Sequence, residues 1–314
     1  MADTIATRDV YGKALLTLGA INPDVVVLDA DLSKSTKTVD FAKKYPERFF
    51  NMGIAEANLL GTAAGLAAAG KIPFASTFAI FAVGRAFEQI RNSIAYPKLN
   101  VKIAATHSGI TVGEDGGSHQ AVEDVAIMRA VPNMAVLVPA DGEETRQVVM
   151  AAAKYNGPVY IRMGRLAVPL LFGEEYHFEI GKANVLREGT DAAIMANGLM
   201  VFKALEAAEE LAGVGIKVAV VNIASVKPLD VETIVRLAKQ TRAVVTAEEH
   251  NIIGGLGSAI AEVLGEMLPT PMVRVGLKDT FGESGRPQEL LEKYGLTKEA
   301  LVKAVHVVLA KKLG

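Results

Sequence analysis

The sequence predicts an α/β fold built from two doubly wound domains, and three observations carry that expectation. Short β-branched runs alternate with helical patterns from one end to the other. Each run is unbroken apolar rather than alternating, as in a strand buried on both faces of a parallel sheet. A connector of mixed polarity, with a proline and glycines, interrupts the rhythm after Arg165, and a second series then starts. With 314 residues, half of them apolar, the chain can fill two cores of ordinary size.

In chain order the first series opens with VVVLDAD (25–31), followed by KIPFAST (71–77), VKIAATH (101–107), MAVLVPA (134–140) and PVYIRMG (158–164). Helices are expected between these strands over 54–70, 79–95, 121–130 and 142–155. The connector LAVPLLFGEEYHFEIGK follows Arg165. Beyond it, DAAIMANG (191–198), KVAVVNIA (217–224), RAVVTAEE (242–249) and MVRVG (272–276) again alternate with helical patterns, giving a smaller α/β domain. The division expected is a first domain over 1–165, a linker over 166–180 and a second domain over 181–314.

Composition excludes several function classes. Lys plus Arg at 33 against Asp plus Glu at 35 leaves a formal charge of −2, which offers no electrostatic footprint for nucleic acid or an anionic membrane. Cysteine is absent, so disulfides, thiolate catalysis and Cys-based zinc sites are ruled out. The start MADTIATRDVYGK has no apolar signal core, and LLGTAAGLAAAG (59–70) is too short to span a bilayer. The expectation is a soluble, cytoplasmic protein.

Candidate chemistry sits in three stretches. In FFNMGIAEANLLGTAAGLAAAG, Glu56 occupies the first turn of a helix that is otherwise nearly all Ala, Gly and Leu. Two readings stand: a first-turn Glu favoured by the helix dipole, or a buried carboxylate kept for a hydrogen bond. The small residues Ala57, Gly61, Ala64, Gly65 and Ala68 let another backbone approach, and a subunit interface is one candidate. Phe78 and Phe81 are three apart, suited either to a core or to a stacking wall for a ring-shaped ligand.

The third stretch, HSGITVGEDGGSHQ (107–120), lacks the ligand spacing of an EF-hand and the Gly-Lys-Ser/Thr ending of a Walker loop, and no third ligand joins its two histidines around zinc. As a glycine-rich loop after a buried strand, it lies at the carboxyl edge of an open sheet, where ligands bind. There His107, Asp115 and His119 suit a polyhydroxylated or phosphorylated molecule, or are satisfied loop polars. Its glycines are read as letting the backbone come close. Arg8, Ser35 and Arg165, beside strand ends or helix starts, suit anion holding.

Taken together, ATRDVYGKAL (6–15), DADLSKST (29–36), MGIAEAN (52–58), STFAIF (76–81), THSGITVGEDGGSHQ (106–120), RAVPNM (129–134), VPADGEET (138–145), IRMGR (161–165), NIASVKPLD (222–230) and EEHNIIGGLGSAI (248–260) resemble the C-terminal portion of transketolase, in the split form made as two chains. The resemblance covers essentially the whole chain. It implies a pyrimidine-binding domain of the thiamin-diphosphate fold, then a transketolase C-terminal domain with a mainly parallel sheet. It further implies that Glu56 hydrogen-bonds the aminopyrimidine of thiamin diphosphate, with Phe81 and nearby Phe78 as the aromatic wall and Asp31 an acidic position near the thiamin. His119 and Asp115 match groups facing the reacting carbons of the donor sugar, with His119 a proton-transfer partner. Arg8, Ser35, His107 and Arg165 match the holders of a sugar phosphate.

The family's Gly-Asp-Gly segment and downstream Asn, which bind Mg2+ and diphosphate, do not occur in this sequence. The resemblance therefore implies a separate N-terminal transketolase subunit that holds the metal and diphosphate, in an α2β2 heterotetramer. Three departures concern the loops: Gly84 stands where an aromatic is usual, Ser108-Gly109 replaces Asp-Ser, and Gly117-Ser118 replaces Pro-Thr. The two loop pairs mark the first place to look for a changed substrate. The expected activity is ketol transfer between sugar phosphates. The alternatives are a 1-deoxyxylulose-5-phosphate synthase, the beta chain of a 2-oxo acid dehydrogenase, and a non-catalytic partner-binding chain. The second domain shows no chemistry of its own; its KPLD and GGLG stretches read as helix starts and tight packing.

Overall fold

The computed structural model describes residues 4–313; residues 1–3 and 314, the outer ends of the two expected domains, lie outside the described residues. Strand β1 (Thr4–Ala6) leads directly into helix α1 (Thr7–Ile21), an addition to the elements expected from the sequence. Tyr11, Ala14, Leu15 and Leu18 make its buried stripe at helical spacing. After β2 (Val25–Asp29), two short helices, α2 (Ser33–Thr36) and α3 (Val39–Lys44), lead to β3 (Phe49–Asn51). All five residues of β2 are buried, which is why its run is unbroken apolar.

Helix α4 (Glu56–Ala68) lies within the helix expected over 54–70, and strand β4 (Ile72–Phe78) runs one residue past the strand expected over 71–77. The single helix expected over 79–95 is instead two pieces. Helix α5 (Ala79–Arg85) ends at Ala86, whose φ of −123° and ψ of 22° leave the helical basin, and a wider π turn spans Gln89–Ala95. Gly84, a poor helix former, sits two residues before the break. Strands β5 (Lys102–Thr106), β6 (Ala135–Leu137) and β7 (Val159–Arg162) alternate with α6 (Asp124–Ala130) and α7 (Gly142–Lys154). The expected linker contains β8 (Ala167–Pro169), which pairs antiparallel with β1.

The remaining elements are β9 (Asn184–Arg187), β10 (Ala192–Ala196), α8 (Met200–Ala212), β11 (Val218–Asn222), β12 (Ser225–Lys227), α9 (Val231–Thr241), β13 (Val244–Asn251), α10 (Leu256–Met267), β14 (Met272–Leu277), α11 (Pro287–Lys293) and α12 (Lys298–Leu313). The second sheet has the order β14-β13-β10-β11-β9, parallel except for β9. The first has the order β12-β6-β7-β5-β4-β2-β3. Its sequential strands are parallel, but β12, from the second half of the chain, adds antiparallel to β6. One apolar cluster is continuous across both halves, joining Met128, Val136 and Val138 to Ile223, Val226 and Leu256.

The two α/β sheets are thus present as expected, with a strand and a core shared between them. Among the described residues no helix is long and apolar enough to cross a membrane. Parallel pairing sets the site: the carboxyl ends of β2, β4, β5 and β7 open on one edge, bringing Asp31, Phe78, His107 and Arg165 within a few residues of it.

Candidate functional site at the carboxyl edge of the first sheet

Glu56 is the first residue of α4 and is 4% exposed, so both sequence readings hold at once: it sits at the helix start and it is buried. Its Oε1 accepts a hydrogen bond from Arg85 Nη1 at 2.8 Å, while Oε2 has no partner among the described residues. Arg85 also lies over the Phe81 ring, 4.0 Å from its centroid. Sequence reasoning missed Arg85. Its signal was available, since a carboxylate in an apolar helix needs a cation and Arg85 is one turn beyond Phe81.

Phe78 and Phe81 stack with centroids 5.7 Å apart and an interplanar angle of 17°. Phe78 is buried and belongs to β4, while Phe81 in α5 is partly exposed, so the pair forms a wall rather than an interior contact. His107 stacks on Phe78 at 3.8 Å, and His119 meets Phe81 edge-on at 5.2 Å. The aromatic positions and both loop histidines therefore converge, although they come from two separate stretches of sequence.

His107 has a φ of 55°, which turns its side chain back against the sheet edge. Its Nε2 lies 3.2 Å from Arg8 Nη1 and its Nδ1 2.9 Å from Thr106 Oγ1. Since a guanidinium only donates, Nε2 accepts, and Nδ1 carries the proton and donates to Thr106. Burial, then the charges of Arg8 and Arg165, lower the His107 pKa to about 3, so the ring is neutral at physiological pH. Arg8 also donates to the Ser35 carbonyl at 3.0 Å. Ser35 contributes its backbone here; the Asp29 carboxylate, accepting from Leu32 N (2.6 Å), Thr36 Oγ1 (2.6 Å) and Thr38 Oγ1 (2.9 Å), folds the loop that presents it.

Arg165 donates to the Val112 carbonyl and pairs with Glu114 at 3.4 Å. It is close enough to His107 and Arg8 to affect both electrostatically, so Arg8, His107, Ser35 and Arg165 form one neighbourhood. Asp31 and Asp115 stand apart. Asp31 is exposed and accepts from Asn51 Nδ2 at 2.9 Å, and Asp115 is exposed with no side-chain hydrogen bond among the described residues. His119 Nδ1 is 3.0 Å from Ser118 Oγ.

Of the altered loop positions, the glycines Gly109 and Gly117 face the second half of the chain. Ser108 is buried, its hydroxyl donating to the Met163 carbonyl at 3.0 Å. Gly109, with φ of 75°, has the Glu249 carboxyl packed against it; a Cβ there would lie 2.2 Å from Glu249 Cδ. A Cβ on Gly117 would lie 2.8 Å from the Gly282 carbonyl oxygen. These glycines make room for protein backbone and side chain. Burial pushes the Glu249 carboxyl up to about 7, against the pull of Arg162.

A buried carboxylate with an open oxygen, next to a stacked pair of rings, fits the aminopyrimidine end of thiamin diphosphate in donor chemistry. The described residues contain no group of three or more His, Asp or Glu placed to hold a metal ion, so the fit concerns the ring end only.

Comparison with known proteins agrees with this geometry. Residues 3–169 match the family described as transketolase, pyrimidine binding domain, and residues 181–301 that described as transketolase, C-terminal domain. A protein of Methanocaldococcus jannaschii, provisionally named a transketolase C-terminal section, is 53% identical over 301 residues, 95% of this chain and 94% of that one. The 6-deoxy-6-sulfo-D-fructose transketolase subunit SqwH of a Clostridium species is 47% identical over 305 residues, 97% of this chain and 95% of that one. A solved structure described as a split gene transketolase, inactive beta4 tetramer, superposes with a TM-score of 0.93 at 63% identity, covering 98% of this chain and 99% of that one. The buried carboxylate, the ring wall and both matched domains lead to one conclusion: this chain belongs to the transketolase family, with relatives made as separate subunits.

Proposed function

We propose that the chain is the C-terminal subunit of a two-chain transketolase that transfers a two-carbon ketol unit from a ketose phosphate to an aldose phosphate. The carrying observation is the Glu56 carboxylate, buried but open at Oε2, beside the Phe78–Phe81 stack and the two histidines at one sheet edge. Bound thiamin diphosphate supplies the carbon nucleophile. Glu56 holds a proton with a ring nitrogen through Oε2, Phe78 and Phe81 flank the ring, and Asp31 lies at the rim. His119 and Asp115 face the donor sugar, His119 moving a proton at its hydroxyl oxygen. The positive charge for a terminal phosphate comes from Arg8 and Arg165, whereas His107, neutral, offers a polar nitrogen, and Ser35 shapes the rim through its backbone.

The partner in this reading is an N-terminal transketolase subunit that holds Mg2+ and the diphosphate, the two chains forming an α2β2 assembly. Support comes from the exposed stripe of Ala57, Gly61, Gly65 and Ala68 on α4, flanked by Ile54 at 77% exposure. The division into a pyrimidine-binding domain over 1–165, a linker over 166–180 and a C-terminal domain over 181–314 belongs to the same proposal. A second substrate is favoured by one relative, named for a sulfo-sugar: an anion site of two arginines accepts a sulfonate as readily as a phosphate.

The test is reconstitution with a candidate N-terminal subunit, assayed with xylulose phosphate plus ribose phosphate, with a sulfo-ketose donor, and with pyruvate plus glyceraldehyde phosphate. Ketol transfer from one of the first two donors is expected, with Glu56→Gln lowering turnover by about a hundredfold or more. Full turnover by this chain alone would overturn the two-subunit reading, and activity only with pyruvate would overturn the ketol-transfer reading.

A further inference from the structure

The loop over 107–120 is tied at its two ends to the first half of the chain. Ser108 hydroxyl donates to the Met163 carbonyl at 3.0 Å, and Gly109 N donates to the Ala121 carbonyl at 2.8 Å. Between those ends the first half adds Arg165, which donates to the Val112 carbonyl, and the second half adds further contacts. Glu249, on β13, accepts a hydrogen bond from Thr111 N at 2.7 Å through Oε1, and its carboxyl fills the space beside Gly109. Gln120 Nε2 donates to the loop carbonyls of Ile110 (3.1 Å) and Gly113 (3.3 Å) and also to the Glu283 carbonyl at 2.9 Å. Gly117 lies against the Gly282 carbonyl with no space for a side chain.

We propose that Glu249 and the backbone of residues 282–284 are positioning elements that fix where the loop presents Asp115 and His119, so the second half of the chain shapes the sugar site without touching the sugar. This rests on the ketol-transfer reading for its kinetic consequence but not for its structural one. The Asp115 side chain makes no hydrogen bond among the described residues, and the His119 ring hydrogen-bonds its neighbour Ser118 and rests edge-on against Phe81, so the hydrogen bonds that place the loop are made elsewhere along it. Their location is set by the backbone between 110 and 117. A buried carboxyl oxygen accepting a backbone N–H at 2.7 Å is a short hydrogen bond in a water-poor interface. Glu249 is itself fixed from behind: Arg162 donates to its carbonyl at 2.9 Å and is locked by Asp124 at 2.8 Å, both buried. The loop is therefore referred to a rigid frame that spans both sheets.

Amide exchange of the full chain alone, followed by mass spectrometry, reads the loop without any substrate. Glu249→Ala is expected to speed exchange in 109–118 by about tenfold, with β2 and β4 unchanged, whereas Glu249→Gln, whose amide oxygen still accepts from Thr111 N, restores protection. Gly117→Ala tests the same idea at an independent contact, and is the variant to use if Glu249→Ala does not fold. In the reconstituted complex, Glu249→Ala and Gly117→Ala are expected to raise the KM for the donor sugar by about tenfold while thiamin-diphosphate affinity stays within about twofold.

Unchanged loop exchange, or a rise spread evenly over the whole chain, would overturn the proposal, as would a loss of cofactor affinity equal to the loss in KM. Localised exchange with no ketol transfer by the unmodified complex would sink the ketol-transfer reading and leave the positioning role standing.

Discussion

The residue that most changes the view of the site is Arg85. It pairs with Glu56 and covers Phe81, so the position next to Gly84 supplies a cation over the ring. Half of the Arg85 side chain is exposed, which screens the pair. A double-mutant cycle of Glu56→Gln and Arg85→Ala, read by urea denaturation, is expected to return a coupling of about 0.5–1 kcal/mol. A coupling of zero would mean that the carboxylate is held by its helix start alone. His107 shows the same dependence on neighbours: sequence marks a histidine, but burial and then the charges of Arg8 and Arg165 make it neutral, and its contacts with Arg8 and Thr106 decide which nitrogen carries the proton.

At the level of elements, the start of α7 works as a clasp for the connector. Asp141 caps the helix by accepting from Glu144 N at 2.9 Å, and its other oxygen accepts from Leu171 N (2.7 Å) and Phe172 N (3.0 Å). Glu144 is buried and accepts from Tyr176 OH, from Asn222 Nδ2 at 2.6 Å and from Ala140 N at 2.7 Å. Burial outweighs these donors and raises the Glu144 pKa from 4.5 to about 7. The folded chain then binds more protons here than the unfolded chain between those two values. This contribution is full below pH 4.5 and lost as pH rises through 7, about 3 kcal/mol over the window. Thermal midpoints of Glu144→Gln are therefore expected to fall less between pH 5 and pH 8 than those of the unmodified chain; parallel profiles would reject the assignment. Most strands were legible because their apolar runs are unbroken. Helix α1 carries an equally readable stripe at Tyr11, Ala14, Leu15 and Leu18, whereas the break at Ala86 has no signal beyond the preceding Gly84.

At the scale of the whole molecule the two sheets do not divide cleanly along the chain. Strand β12 completes the first sheet from the far side of the connector, one apolar cluster runs through both halves, and Asp124–Arg162 reaches the Glu249 carbonyl across the interface. Removing one side leaves the edge of β6 unpaired and the Glu144 and Arg162 networks incomplete. A fragment of residues 1–180 is expected to show no cooperative melting transition, while the full chain unfolds in one; a stable, cooperatively melting fragment would contradict this. The presence and burial of the central strands, the run of small residues on α4 and the identity of the chemical groups were legible in local pattern, because apolar period and residue type are properties of neighbouring positions. What the tertiary structure alone decided was which groups meet: Arg85 with Glu56, His107 with Arg8, and Glu249 with the backbone at Gly109 and Thr111. Those partners are between 29 and 138 residues apart for the hydrogen-bonded pairs, and no local period records a contact between positions so far apart in sequence.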